Sequence, residues 1–152
     1  MDHKKLKNIN YSLLDTFLKA GETSIDLRNN GLKKEIKLDQ TPVTNGDLEV
    51  NKILIEKISE VTPDIPIVSE ESQSNKLKNN LVNFWLIDPI DGTYDYLNNR
   101  DEFTLNAALI INRKPKIGII YAPAKKRMFY SYDKGFSFEL INGEEVKLNC
   151  EK

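Results

Sequence analysis

The stretch Trp85-Leu86-Ile87-Asp88-Pro89-Ile90-Asp91-Gly92-Thr93 decides how the rest of the chain is read. An apolar strand ends in two carboxylates three residues apart, with a proline holding the backbone between them and a glycine that permits close approach. Hard divalent cations take oxygen ligands, and Mg²⁺ in particular takes one or two carboxylates together with waters and substrate phosphate. Such a turn can offer Asp88, the carbonyl of Ile90 and Asp91 to a metal, while the amides of Gly92 and Thr93 point free donors at an anion.

Upstream, Ile65-Pro66-Ile67-Val68 reads as a second strand and runs into Ser69-Glu70-Glu71-Ser72. Neighbouring residues on a strand face opposite ways, so only one of Glu70 and Glu71 is expected to enter a shared site. The polar segment between the two strands, rich in Ser, Asn and Lys, reads as a surface loop. Further upstream, Leu48, Ile53, Leu54, Ile55 and Ile58 predict a helix that stops near Thr62-Pro63. Thr44 stands three residues ahead of Asp47, the spacing of a capping box at its start. Gly46 puts a poor helix former in the first turn.

Glu35-Ile36-Lys37-Leu38-Asp39 alternates as a half-buried strand does, and Pro42 is expected to break its ladder. Before it, Leu6, Ile9, Leu13, Leu14, Phe17 and Leu18 recur at helical spacing and predict a first helix from about residue 5 to about residue 29. Asn29-Asn30-Gly31 supplies a residue tolerant of positive φ to end it.

Downstream the pattern is a meander of strands over residues 103–111, 117–122, 128–132 and 136–140, with Asn142-Gly143 turning a hairpin into 146–148. The whole is an α+β architecture: two N-terminal helices packed on a mostly antiparallel sheet. Ala107 to Ile111 and Ile117 to Ile120 are continuous apolar runs, the mark of strands covered on both faces. Two helices cover one face, so the other is expected to meet a further domain or a partner.

Of 152 residues, 39% are hydrophobic and 30% charged, with Lys+Arg 22 against Asp+Glu 23. That balance fits a single folded domain and argues against a nucleic-acid partner, which demands clustered basic residues, and against a membrane span. The N-terminus shows no signal-peptide pattern, which implies a cytoplasmic protein. Cys150 is the only cysteine, which excludes an intramolecular disulfide and a cysteine metal site.

Asp88-Pro89-Ile90-Asp91-Gly92-Thr93 resembles the DP(I/L)DGT signature of the inositol monophosphatase superfamily, a highly specific string. Glu70-Glu71-Ser72 resembles its upstream GEES or SEES element, and Asp39 to Asp47 its D-x-S-P-V-T-x-A-D segment, in family order and spacing. The likeness is nearest to the CysQ-type 3′(2′),5′-bisphosphate nucleotidases, through residues 67–71, 102–109 and 118–123. The resemblance implies the N-terminal half of the sugar-phosphatase fold over residues 1–152, with a small phosphorylated substrate, 3′-phosphoadenosine 5′-phosphate, hydrolysed to AMP. It makes Glu70, Asp88, the Ile90 carbonyl and Asp91 ligands of Mg²⁺. Asp47 and Thr93 become the catalytic residues that orient and deprotonate water, and Gly92 with Thr93 the phosphate cradle.

The family uses two or three ions and draws a further aspartate from a W-D-x-A-A-G motif that this sequence does not contain. The resemblance therefore implies an absent C-terminal domain, a weakened second metal and impaired activity, with a C-terminal-domain partner or a homo-oligomer as the completing element. Tyr94 stands where nucleotidases of this type carry Lys, which leaves the choice of substrate open; because the metal turn is common to the superfamily, inositol or sugar phosphates are alternative substrates, and a non-catalytic or split subunit is another role. A calcium loop fits poorly, because its ligands come at close intervals from one segment.

Overall fold

The computed structural model describes residues 1–72 and 80–149. Helix α1 spans His3–Asn30 and is capped by Asp2, whose side chain accepts from the Lys5 amide at 2.8 Å. A small hairpin follows, β1 (Lys34–Ile36) with β2 (Pro42–Thr44), then helix α2 (Asn45–Val61). Strands β3 (Ile67–Ser69) and β4 (Phe84–Asp91) lead to the short helix α3 (Thr93–Leu97). The meander β5 (Thr104–Ile111), β6 (Lys114–Ala122), β7 (Arg127–Tyr132), β8 (Ser137–Ile141) and β9 (Glu144–Lys147) completes a seven-stranded sheet in the order β3-β4-β5-β6-β7-β8-β9.

Among the described residues only the β3–β4 pair is parallel, and every other neighbour in the large sheet is antiparallel. Among the described residues, α1 and α2 pack on one face of that sheet, as the α+β reading expects. Leu6, Ile9, Leu13, Phe17 and Ala20 of α1 and Val50, Leu54 and Ile58 of α2 meet Trp85, Ile87, Leu109, Ile117 and Ile119. Each of the Leu, Ile, Val and Phe side chains among them contributes about 1.5–3 kcal/mol when taken from water. Trp85 is buried and still satisfied, its indole N–H donating to Thr62 Oγ1 at 3.0 Å just past the end of α2.

The opposite face carries the transverse row Leu86, Ala108, Gly118, Ser131 and Ser137, set by the strand register. With Ile120 and Phe129 this row lines a shallow trough of about 460 Å³. Leu86 and Ile120 are each 48% exposed there, so the continuous apolar runs do correspond to a sheet with one uncovered face among the described residues.

Several local expectations change. Pro42 does not end a ladder but opens β2, a two-strand edge where its missing N–H costs nothing. Gly31 ends α1 with φ of 167°, extended rather than left-handed, and its amide donates to Leu27 O. Leu48 is exposed, because the buried stripe of α2 runs through Asp47, Val50, Leu54 and Ile58. Lys114 and Pro115 belong to β6, and the turn is Asn112-Arg113 alone, both left-handed. The loop expected between β3 and β4 lies largely, and Cys150 wholly, outside the described residues. No described helix is long and apolar enough to cross a membrane.

Gly46 has a packing reason. A Cβ there would lie 2.3 Å from the hydroxyl oxygen of Tyr96 and 2.8 Å from its ring, and Tyr96 is itself buried with its hydroxyl donating to Ser24 O at 2.6 Å. Gly46→Ala is therefore expected to cost about 1–3 kcal/mol by overpacking, reversing the gain of about 1 kcal/mol that Ala brings to an ordinary helix position. A lowered urea midpoint with an unchanged slope checks this.

Candidate metal and phosphate site

Two parallel strands deliver the acids. The Glu70 amide donates to Ile87 O at 3.1 Å, which extends the β3–β4 pairing by one residue beyond Ser69. The chain then turns, with Ser72 N donating to Ser69 O at 3.2 Å. Strand alternation ends at that turn, so both Glu70 and Glu71 line the cleft, against the expectation of only one.

On β4 the register with β5 shifts between Asp88 and Asp91, so the acidic turn is an irregularity inside the strand rather than its end. Gly92 follows at φ 84°, where a Cβ would also stand 2.7 Å from Glu102 O; both facts require glycine. Helix α3 begins directly after it, at Thr93.

Glu70, Glu71, Asp88, Ile90, Asp91, Gly92 and Thr93 line one cleft of about 230 Å³ with Lys37, Thr41, Pro42 and Tyr94. Among the described residues no group of three or more acidic, His or Cys side chains is placed so that it could hold a metal ion. The Glu71 side chain is 6% exposed and drawn to Lys37 Nζ at 2.9 Å. An open set with few carboxylates is what Mg²⁺ accepts, since it keeps waters and takes substrate oxygens as ligands.

The electrostatics favour a cation. Asp88 Oδ1 is buried with no hydrogen-bond partner among the described residues. Burial, the Glu70 carboxyl against it, and the charges of Glu70, Asp91 and Glu71 push Asp88 up to about 7. Burial likewise lifts Glu71 above the ordinary glutamate value in spite of Lys37. An orphaned buried oxygen among crowded acids, with only oxygen donors around it, fits a hard divalent ion.

Asp47 lies behind the cleft at 1% exposure. Its Oδ2 accepts from the Thr44 amide at 2.9 Å and from the Thr44 hydroxyl, and its own amide donates to Thr44 Oγ1 at 3.2 Å, closing the expected capping box. Its Oδ1 accepts from the Thr93 hydroxyl at 3.0 Å, and that hydroxyl also lies 3.2 Å from Ile90 O. Capping and the link to the cleft thus use different oxygens of one carboxylate.

Sequence reading missed Lys37, which it placed in a strand with no role, and the burial of Glu71. Lys37 follows β1 in the β1–β2 hairpin, which sets it beside the cleft. The only sequence signal was the placement of Asp39 to Asp47 within the matched segment.

The 3′(2′),5′-bisphosphate nucleotidase CysQ of Buchnera aphidicola is 36% identical over 134 residues, 86% of this chain and 50% of that protein. Solved CysQ from Bacteroides thetaiotaomicron is 27% identical with a TM-score of 0.67, covering 96% of this chain and 52% of that one. An IMPase/NADP phosphatase complexed with Mg²⁺ and phosphate, 22% identical, shares the fold at a TM-score of 0.76 over 88% of this chain and 51% of its own. The chain spans half or less of the length of these curated relatives. The inositol monophosphatase family profile matches residues 3–150, and the chain belongs to that family.

Proposed function

We propose that this chain is the metal- and phosphate-binding part of a Mg²⁺-dependent phosphomonoesterase that removes the 3′-phosphate of a nucleotide such as 3′-phosphoadenosine 5′-phosphate, leaving AMP and phosphate. The observation that carries the reading is the buried, unpartnered Asp88 oxygen in a cleft shared by Glu70, Asp91 and the Gly92-Thr93 backbone. The CysQ relatives support the nucleotide, and the neighbour complexed with Mg²⁺ and phosphate supports the ion.

In this reading Asp88, whose buried oxygen has no partner among the described residues, would hold Mg²⁺ together with Glu70, Asp91, the Ile90 carbonyl and waters. When bound, the ion supplies positive charge for phosphate oxygens, an acidified water and a stabilised leaving alkoxide. The chain's own groups do the rest. Thr93 Oγ1 accepts a proton from the attacking water as its own hydroxyl proton passes to Asp47 Oδ1, 3.0 Å away. The amides of Gly92 and Thr93 receive a phosphoryl oxygen of the substrate. Lys37 offers a cation at the rim while neutralising Glu71.

Phosphate release from 3′-phosphoadenosine 5′-phosphate, with and without Mg²⁺, tests the proposal on the chain alone and with a second polypeptide matching the remaining half of the relatives. Asp88→Asn is expected to lower the Mg²⁺-dependent rate on the order of 100-fold or more. Absence of Mg²⁺-dependent release in both arms overturns it.

A pH dependence follows from Asp88. In the metal-free folded chain its carboxyl stays protonated up to about 7, whereas the unfolded chain loses that proton near 4. The folded state then binds the extra proton, so its stability falls as pH rises from about 4 to about 7 and levels off above. Urea melts across that interval are expected to show a slope that Asp88→Asn removes, and Mg²⁺ affinity is expected to rise over the same interval as the proton is displaced.

A further inference from the structure

Tyr94 is the one aromatic side chain that lines the acidic cleft among the described residues, and it is 64% exposed. A single exposed ring on a surface ordinarily needs no explanation. This ring has a fixed mount. Its carbonyl accepts from both the amide of Asn98 at 3.1 Å and its side chain at 2.7 Å. Two residues on, Tyr96 is buried against Phe103 with ring centroids 4.9 Å apart and its hydroxyl bound to Ser24 O. One residue back, Thr93 is tied to Asp47 and Ile90. The backbone that carries the ring is thus held on both sides.

The ring is also backed. The Arg100 guanidinium lies over it at 5.8 Å from the centroid. Arg100 is itself secured, its amide donating to Asp95 O at 2.8 Å and its side chain to Asp95 Oδ1 at 3.3 Å. A guanidinium on one side of a phenol ring leaves the other side as the accessible one, and it draws on the ring's negative face.

We propose that Tyr94, backed by Arg100, is a specificity-determining platform on which the flat base of the substrate stacks once its phosphate is in the cleft. This rests on the proposed function, because it assumes that the cleft receives a phosphate ester. Every nucleobase has a π-face that an aromatic side chain can take, and such stacking is insensitive to which base is present. A saturated polyol ring has no π-face and would lay hydrated hydroxyls on the phenol ring, losing water contacts that the ring cannot replace. The pair therefore favours nucleotide over inositol or sugar phosphates.

The test uses the whole chain in Mg²⁺. Calorimetric titration compares adenosine 3′,5′-bisphosphate with inositol 1-phosphate on the wild type, on Tyr94→Leu, which keeps apolar bulk without a π-system, and on Tyr94→Phe, which keeps the ring. The ratio of nucleotide to inositol-phosphate affinity is expected to fall about tenfold in Tyr94→Leu and to be preserved in Tyr94→Phe. Adenine proton resonances are expected to shift upfield on binding to the wild type and to lose that shift in Tyr94→Leu. An unchanged ratio in Tyr94→Leu, or an unshifted adenine on the wild type, overturns the inference while leaving the phosphate site intact. Inorganic phosphate titrated against wild type and Asp88→Asn provides the separate control. If wild type binds none, or Asp88→Asn binds it equally well, the proposed function itself has failed and the stacking role falls with it.

Discussion

Negative charge gathered in a half-buried place is the constraint on which this structure turns. Four carboxylates, Glu70, Glu71, Asp88 and Asp91, line one small cleft, and the fold answers their repulsion in two ways. Glu71 is neutralised within the chain by Lys37, while Asp88 is left with a buried oxygen that nothing described satisfies. A proton or a cation must settle the second case, since an isolated ionised carboxylate cannot be buried cheaply. The sheet exists around that point: the parallel β3–β4 pair sets the two acidic segments side by side, and the irregular β4–β5 register frees the backbone that follows.

The helices serve the same place from behind. Tyr96 bridges them, with its hydroxyl on a carbonyl of α1 and its ring against Gly46 at the start of α2. The loop that carries Gly92 and Thr93 is therefore anchored to the core rather than floating over the sheet. Arg28 adds to this by donating from α1 to the carbonyl of Arg100 at 2.6 Å, on the far side of α3.

Much of this was legible in the sequence because it is local. Helical spacing gave α1 and α2, the Thr44–Asp47 offset gave the capping box, and Asn142-Gly143 gave its hairpin. The candidate residues at 70, 88, 90, 91, 92 and 93 were legible through motifs, and they do line a common cleft. The Asp47–Thr93 pair was legible through the family pattern alone, since a hydrogen bond across 46 positions follows no period. What escaped is tertiary or irregular. Glu71 was judged by strand alternation that stops one residue too early for the rule to apply. Gly46 looked like a flaw because its partner, Tyr96, lies fifty residues away. The short helix α3 was invisible because five residues leave no periodicity to detect.

The two oxygens of Asp47 tie two parts of the fold to one carboxylate. One closes the first turn of α2 and the other faces the threonine at the cleft. A lengthened or amidated replacement disturbs the helix cap and the Thr93 hydrogen bond together. Thr44 is coupled to the same carboxylate, since its amide and hydroxyl both donate to Oδ2, so a change there also alters the charge that faces Thr93.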